Sequence, residues 1–354
     1  FNNRLTGSFD YFVRFTEGMV GPSAELPATL GISTPSSNNS DLRTKGWEVS
    51  IGWKDRLKNG LGYGINLSLS DQITMIDSYP DNKTLSIDSY LPGYKDGLIW
   101  GYETIGIAKS DEEMQAHLAS LPKGGQDAVG SQWAAGDIMY KDLNGDGKIS
   151  EGARPLGDHG DLKILGDTYS HYFFGIDLNA DWKGFDFRAF FQGVLKHDYW
   201  GSGNFTGMLF GVRGGYSRWH TRGFKQHEDY FRAEPAGLEG HELPANLDSY
   251  YPRPIFSDSS DGTSFGAKNQ KVQSRYVQDA SYIRLKNLQF GYTLPAKFTN
   301  KFGINRLRIF VSGENVWTGT GLTKLFDPET ISGGNGGNAY PLSRTWSFGL
   351  SLTL

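Results

Sequence analysis

Asp142, Asn144 and Asp146 set three side-chain oxygens two residues apart, followed by Gly147, Lys148, Ile149 and Ser150. A hard divalent cation, Ca2+ or Mg2+, wants several oxygens within one short arc, and the glycine at the sixth position permits the turn that gathers them. Lys148 would lend its backbone carbonyl, and Ser150 a hydroxyl or a bridging water. The twelfth position, where a bidentate Glu closes such a shell, is Ala153, so Glu151, Asp158 or Asp161 would have to substitute. No helical pattern flanks the loop, so it is not half of an EF-hand pair, and the ion would be structural. The alternative is a solvated Asp/Asn/Gly turn.

A second chemical signal is aromatic. Trp100, Trp133, Trp200, Trp219, Tyr250 and Tyr251 lie in or beside long irregular stretches. Flat rings stack on sugar faces and pack against peptide side chains, which suits substrate contact, while loop packing or an interfacial girdle would use them equally well. Catalysis finds little support. The seven His are scattered, no nucleophile-elbow sequence is present, and charged pairs such as Asp186 and Arg188 fall within alternating strands. The chain is expected not to be an enzyme. Gly201–Gly215 reads as an irregular loop and not a phosphate cradle.

The elements that carry these residues are strands. From Thr345 to Leu354, Trp346, Phe348, Leu350, Leu352 and Leu354 alternate with Thr345, Ser347, Gly349, Ser351 and Thr353. Successive strand side chains leave opposite faces, so the stretch has one apolar and one polar face, over about the ten residues a tilted strand needs to cross a bilayer. Seven further stretches begin near Asn3, Trp47, Leu61, His171, Phe185, Asp279 and Arg306. Only the one from Asp279 slips phase, which predicts a bulge near Lys286-Asn287. Ser110–Leu121 is the one credible helix, with Ser110 as cap, Glu113 three residues on, and the task of stiffening its loop.

Connections alternate long and short. The short ones are Arg56–Gly60, Lys183-Gly184 and Leu294–Asn305; the long ones are Thr16–Thr44, Asp71–Ser170, Gly193–Gln278 and Thr318–Arg344. Short turns at one rim and long loops at the other are the outer-membrane barrel arrangement. The expected fold is therefore all-β, an antiparallel transmembrane β-barrel segment with long extracellular loops, above all 71–170 with the metal motif and 193–278. Inward faces rich in Gly and Ser suit a wide lumen better than a closed eight-strand barrel. The chain has no apolar run of eighteen residues, no Cys, and a net charge of −4 with no basic stripe, which leaves out a transmembrane helix, a disulfide framework and nucleic acid. Phe1 already stands inside a strand pattern, so the sequence reads as part of a longer protein.

Against that frame, several motifs resemble one family. Gly136-Asp137-Ile138-Met139-Tyr140-Lys141-Asp142-Leu143-Asn144-Gly145-Asp146-Gly147 is similar to a signature of the SusC/RagA-type, TonB-dependent outer-membrane transporters. Lys183-Gly184-Phe185-Asp186 with Phe190-Phe191-Gln192-Gly193, the strand Asp279-Ala280-Ser281-Tyr282-Ile283-Arg284-Leu285-Lys286-Asn287-Leu288, then Ser312-Gly313-Glu314-Asn315 and Phe326-Asp327-Pro328-Glu329 follow in family order. Phe1-Asn2-Asn3-Arg4-Leu5-Thr6-Gly7 resembles a further family strand. One departure is the final Leu354, where such barrels usually finish in Phe or Trp.

The resemblance implies the C-terminal third or so of a transporter, about eight strands of a 22-strand barrel, in the cell outer membrane of a Gram-negative, Bacteroidetes-like bacterium. It implies active import of glycans or oligopeptides with a SusD-like surface lipoprotein as lid. The remaining strands, the plug and the TonB contact would lie in the N-terminal part of the same transporter. Two other readings stand beside it: a small self-contained barrel acting as adhesin or channel, and a soluble calcium-dependent carbohydrate-binding sandwich.

Overall fold

The computed structural model describes residues 2–22, 29, 31, 35–201, 225–255, 266–331 and 342–354. Eight strands form one sheet: β1 (Leu5–Pro22), β2 (Ser36–Arg56), β3 (Gly62–Ser78), β8 (His171–Trp182), β9 (Phe185–Lys196), β12 (Tyr282–Thr293), β13 (Arg306–Thr320) and β14 (Thr345–Thr353). The others, β4 (Leu98–Tyr102), β5 (Thr104–Ile107), β6 (Ile138–Tyr140), β7 (Leu162–Asp167), β10 (Asp198–Tyr199) and β11 (Gln278–Asp279), pair two by two within the long connections. The main sheet is an antiparallel meander in the order β1-β2-β3-β8-β9-β12-β13-β14, with β1 and β14 as its two edges. It is a barrel-wall segment. No described helix is long and apolar enough to cross a membrane.

The expected bulge is present: the β12 register shifts between Leu285 and Asn287 against both neighbours. Strand ends needed correction at one rim. β1 runs to Pro22 and β2 starts at Ser36, so the connection expected over Thr16–Thr44 is much shorter. Paired polar residues such as Thr44 and Thr74, whose hydroxyls lie 2.9 Å apart, let the strands continue beyond the apolar stretch, where alternation of hydrophobicity no longer marks them. The Lys183-Gly184 turn has φ of 48° and 90°, the type I′ geometry that matches strand twist.

One face is uniformly apolar and open. On strands flanked at both sides, Ile51, Leu67, Phe290 and Ile309 are 44–51% exposed, far more apolar surface than a water-facing sheet presents. Trp47 and Trp53 bracket this band on β2, six residues or about 20 Å apart. Trp182 sits near the Trp53 level, its indole donating to the Asn59 carbonyl at 3.2 Å. The opposite face is polar and cross-linked. Arg188 pairs with Asp177 at 2.7 Å, and Arg56 with Asp181 at 2.8 Å.

The inward glycines are not voids. Asp186 on β9 and Arg308 on β13 form an ion pair across the intervening β12, directly over Gly291. A Cβ at 291 would lie 2.6 Å from the Asp186 carboxylate and 2.5 Å from the Arg308 guanidinium, so only Gly lets the pair close. Arg56 and Asp181 bridge Gly62 in the same way.

Face assignment is testable on β14. Leu350→Arg places a charge on the apolar face and is expected to cost about 2–4 kcal/mol of assembly free energy at mid-depth. Ser347→Arg, on the polar face, is expected to assemble normally; Ser351 is a poorer control because it stands opposite Arg308. Equal losses of heat-modifiable barrel from the two variants would refute the assignment.

Candidate substrate chamber at the rim

The two longest connections fold into one body above the wall. Its core takes Tyr102, Ile107, Met114, Ile138, Tyr140, Ile149 and Leu162 from the first and Phe231, Tyr251 and Tyr276 from the second. The helix α1 (Asp111–Ala119) is capped as expected: Ser110 Oγ accepts from Glu113 N, and the Glu113 carboxylate accepts from Lys109 N at 2.7 Å. Met114, fully buried, points its face into the core.

At the centre is a buried ion pair. Asp137 and Lys268 have no exposed side-chain surface and lie 2.7 Å apart. The other two Lys268 donors reach the Ser131 and Gln132 carbonyls at 3.0 and 2.8 Å, and the ammonium sits 4.7 Å from the Trp133 ring centre. Burial pulls the Lys268 pKa below the ordinary lysine range, with Asp137 opposing it. Asp137 also accepts from Arg253 Nε at 2.8 Å, Asn269 Nδ2 at 2.9 Å and Ala134 N at 2.9 Å. All three Lys268 donors and both Asp137 oxygens are satisfied, and the cluster ties residues 131–137 to Arg253, Lys268 and Asn269. Nothing in local spacing announced it, because its members are about 115–135 residues apart.

The aromatic residues singled out in the sequence take several places. Trp133 and Tyr251 are buried in this core. Trp100 is half-buried against it, with the His159 ring at 5.3 Å, and Tyr250 packs edge-on to Tyr251 and Tyr276. Trp200 packs on the core and also lines a cavity at the wall's rim. Trp219 and most of Gly201–Gly215 lie outside the described residues.

The Asp142 loop is built from side-chain-to-backbone bonds. Asp142 accepts from Gly145 N at 2.6 Å and Gly147 N at 2.9 Å, Asn144 from Asp146 N at 2.9 Å, and Asp146 from Lys148 N at 3.1 Å. Ser150 N donates to Asp161 at 2.8 Å, and Leu143 N donates to the other Asp161 oxygen at 2.7 Å. Among the candidates for the closing carboxylate, Glu151 is taken by Arg154 and Asp158 by Ala153 N. Asp161 alone braces the loop. Among the described residues, no three His, Asp or Glu side chains are grouped to hold a metal.

Below this body, a cavity of about 490 Å³ opens at the rim. Gln72 and Thr74 of β3 and His171 and Phe173 of β8 line it from polar-face positions, and Asp96, Asp167, Tyr169, His197, Tyr199, Trp200 and Ile331 complete it. His171 is clamped, with Nδ1 2.7 Å from Asp71 and Nε2 3.1 Å from Asp167. Each ring nitrogen thus faces a carboxylate, an arrangement that the doubly protonated ring, donating from both nitrogens, would satisfy in full. It fastens wall strands β3 and β8 to the end of β7. Next to it, Tyr172 has φ of +57°, a conformation uncommon for a tyrosine and held by this clamp, since its N–H also donates to Asp71. On β12, Arg284 is 2% exposed and pairs with Asp327 at 2.6 Å and Glu329 at 2.9 Å, while Lys286 takes the other Glu329 oxygen at 2.9 Å. Arg284 occupies a polar-face position, so the segment after β13 folds inward over the wall and brings Ile331 to the cavity.

Comparisons with known proteins fit this architecture. No protein-family model matches the chain. TonB-dependent receptor P3 of Formosa agariphila is 28% identical over 376 residues, an alignment covering 99% of this chain and 32% of that protein. TonB-dependent receptor P26 of the same organism is 24% identical over 387 residues, covering 100% and 33%. The chain is a relative of the TonB-dependent receptors. It spans about a third of the length of the curated relatives it matches. Among solved structures, a chain of the RagAB peptide transporter superposes with a TM-score of 0.63 at 20% identity, covering 99% of this chain and 34% of that one. The RagAB peptide importer in its open-open state gives 0.64 at 20%, covering 100% and 33%. The fold is that of a TonB-dependent transporter barrel wall, and these relatives are receptors and transporters by name, not enzymes.

The buried pair yields a clear expectation. Asp137→Ala leaves Lys268 and Arg253 uncompensated and should cost the rim body about 3–5 kcal/mol. Limited proteolysis should then cut within 87–160 and within 225–255 or 266–276 together while the wall strands stay protected. Cutting confined to one of the two connections would show that they do not share a core.

Proposed function

We propose that the chain forms part of the wall and substrate chamber of an outer-membrane nutrient importer, driven through TonB. The observation that carries this reading is the sheet itself: an apolar face open over its whole width, a polar face cross-linked by ion pairs, and all large connections at one rim. Relatives named TonB-dependent receptors support it. In this reading the apolar face meets lipid, the short turns are periplasmic, and the rim body faces outward. A SusD-like lipoprotein would close over the chamber, while the plug, the remaining strands and the TonB contact come from the rest of the transporter. Substrates are glycans or oligopeptides. Of the aromatic candidates among the described residues, Trp200 lines the rim cavity and Trp100 a neighbouring one.

The test uses the full-length transporter in its outer membrane. Replacing residues 87–160 by a short Gly/Ser linker should preserve barrel assembly and lower energised uptake of the natural nutrient at least tenfold, or about 1.4 kcal/mol of transition-state stabilisation. Undiminished uptake would exclude the rim body from the chamber.

A second reading concerns the Asp142 loop. Asp161 is fully buried, has no ion-pair partner among the described residues, and feels the charge of Asp142. Burial raises its pKa first of all, its backbone donors oppose this, and Asp142 adds to it. A divalent cation held by Asp142, Asn144, Asp146, the Lys148 carbonyl and Ser150, with Asp161 closing the shell, would supply the missing positive charge; the carboxylates, which are not grouped for a metal here, would have to turn from their backbone donors to reach it. Calcium is then expected to slow protease cleavage within 136–160, chelation to reverse that, and Asp142→Asn with Asp146→Asn to abolish the response without loss of the barrel. Cleavage indifferent to calcium in the parent protein returns the loop to a polar turn shaped by glycines.

A further inference from the structure

The segment of the first connection that follows β3 continues the wall. Gly93 N donates to the Ile76 carbonyl at 2.8 Å, Ile76 N to Tyr94 O at 3.0 Å and Asp96 N to Thr74 O at 3.0 Å, so residues 93–96 pair with β3 above the end of β8. In this register Met75 faces Lys95, and Asp96 falls on the side of Thr74, the polar inner face. Lys95 alternates to the other side of the strand, though it too borders the two cavities that flank Asp96, without pairing with Asp96. Thus a row Thr44, Thr74, Asp96 runs along the inner wall at the rim.

Asp96 is where two cavities meet. The one of about 490 Å³ lies on its Tyr169, Tyr199 and Trp200 side; another, of about 440 Å³, is lined by Tyr79, Tyr90, Asp88 and Trp100. Tyr169 donates its hydroxyl to Asp96 at 2.7 Å and remains 50% exposed. Tyr90, 39% exposed, stands edge-on to Tyr79 at 5.2 Å, and the Asp96 charge holds its phenolic proton more firmly than usual. The other carboxylates around these cavities are matched: Asp167 by His171 and Asp88 by Arg154. Among the described residues Asp96 has no ion pair. Two half-open phenol rings therefore flank one uncompensated carboxylate on the inner face.

The surrounding charge has the same sense. Residues 71–170 hold 17 Asp and Glu against 8 Lys and Arg, net −9, while the whole chain is only −4, which leaves the remainder at +5. A field of one sign over a cleft concentrates ligands of the other sign and does nothing for a neutral one.

We propose that Asp96, with Tyr90 and Tyr169, forms a subsite for the cationic side chain of a basic oligopeptide. An ammonium or guanidinium would pair with the free carboxylate oxygen and lie against the two rings, a combination of salt bridge and cation–π contact that a neutral sugar cannot use. The inference rests on the importer reading and names its substrate class.

The experiment uses the full-length transporter and a fluorescein-labelled hexapeptide of alternating Lys and Gly, compared with its Glu/Gly counterpart and with maltohexaose. The Lys peptide is expected to bind at least tenfold more tightly than the Glu peptide and to weaken with salt. Asp96→Asn should lower Lys-peptide affinity about tenfold, reduce its salt dependence and leave Glu-peptide binding unchanged. Tyr169→Phe, which frees Asp96 of its hydroxyl partner, should retain binding. Unchanged Lys-peptide affinity in Asp96→Asn, or competition by maltohexaose equal to that of unlabelled Lys peptide, overturns the subsite. Failure of the parent protein to take up any solute in energised membranes would instead defeat the importer reading, so the two can be told apart.

Discussion

The rim depends on one buried charge pair. Asp137 and Lys268 come from different connections, and neither can be left alone in an interior without several kcal/mol of penalty. The pair therefore exists only when both connections are folded together, with Trp133 over the ammonium and Arg253 and Asn269 completing the carboxylate's shell. Tyr140 then donates to the Lys268 carbonyl at 2.6 Å, and Gln126 accepts from Tyr140 N at 2.6 Å, so the polar network reaches the cap of the body without an unsatisfied arm there. Hydrophobic burial supplies most of the stability of this body. The ion pair decides which segments share it.

The wall obeys a different constraint. Its apolar face has no protein to pack against, so the strands are held by backbone pairing and by the polar face. Ion pairs such as Asp186 with Arg308 skip a strand, and the glycine beneath each is the condition for the crossing. The result is an inner surface on which long polar side chains such as Arg188, Arg56 and Arg308 are tied to carboxylates next door or two strands away. The clamp on His171 joins this wall to the rim body, so the two constraints meet at the cavity.

The strand order, faces and the β12 bulge were legible because each follows from a two-residue period that lipid contact imposes along the chain. Strand ends at the rim were not, since Thr44 and Thr74 pair through hydroxyls and leave no hydrophobic alternation to read. The helix at Asp111–Ala119 was legible from Ser110 and Glu113, whose capping is local. The rim body was legible only in its materials. Trp133 and Tyr251 stood out as aromatic, but whether a ring meets substrate or core depends on partners such as Lys268 and Tyr276, far away in sequence. Asp137 sat in plain view within the Gly136–Gly147 motif, yet its partner lies 131 residues on. Asp96 carried no signal, because its neighbours Tyr169 and Thr74 converge only through the sheet.

The shared core of the two connections has a consequence for how proteins with such a rim diversify. A recombination event that exchanges only one connection brings in an Asp without its Lys, or the reverse, and the hybrid is born with a stranded charge. Exchange of the whole stretch from β3 to β12 carries both halves at once and meets the host protein only along backbone-paired strands, which accept almost any partner of the same register. Inheritance among relatives of this chain should thus move in blocks, with the crossover points in the wall and the two connections travelling as a single heritable cassette.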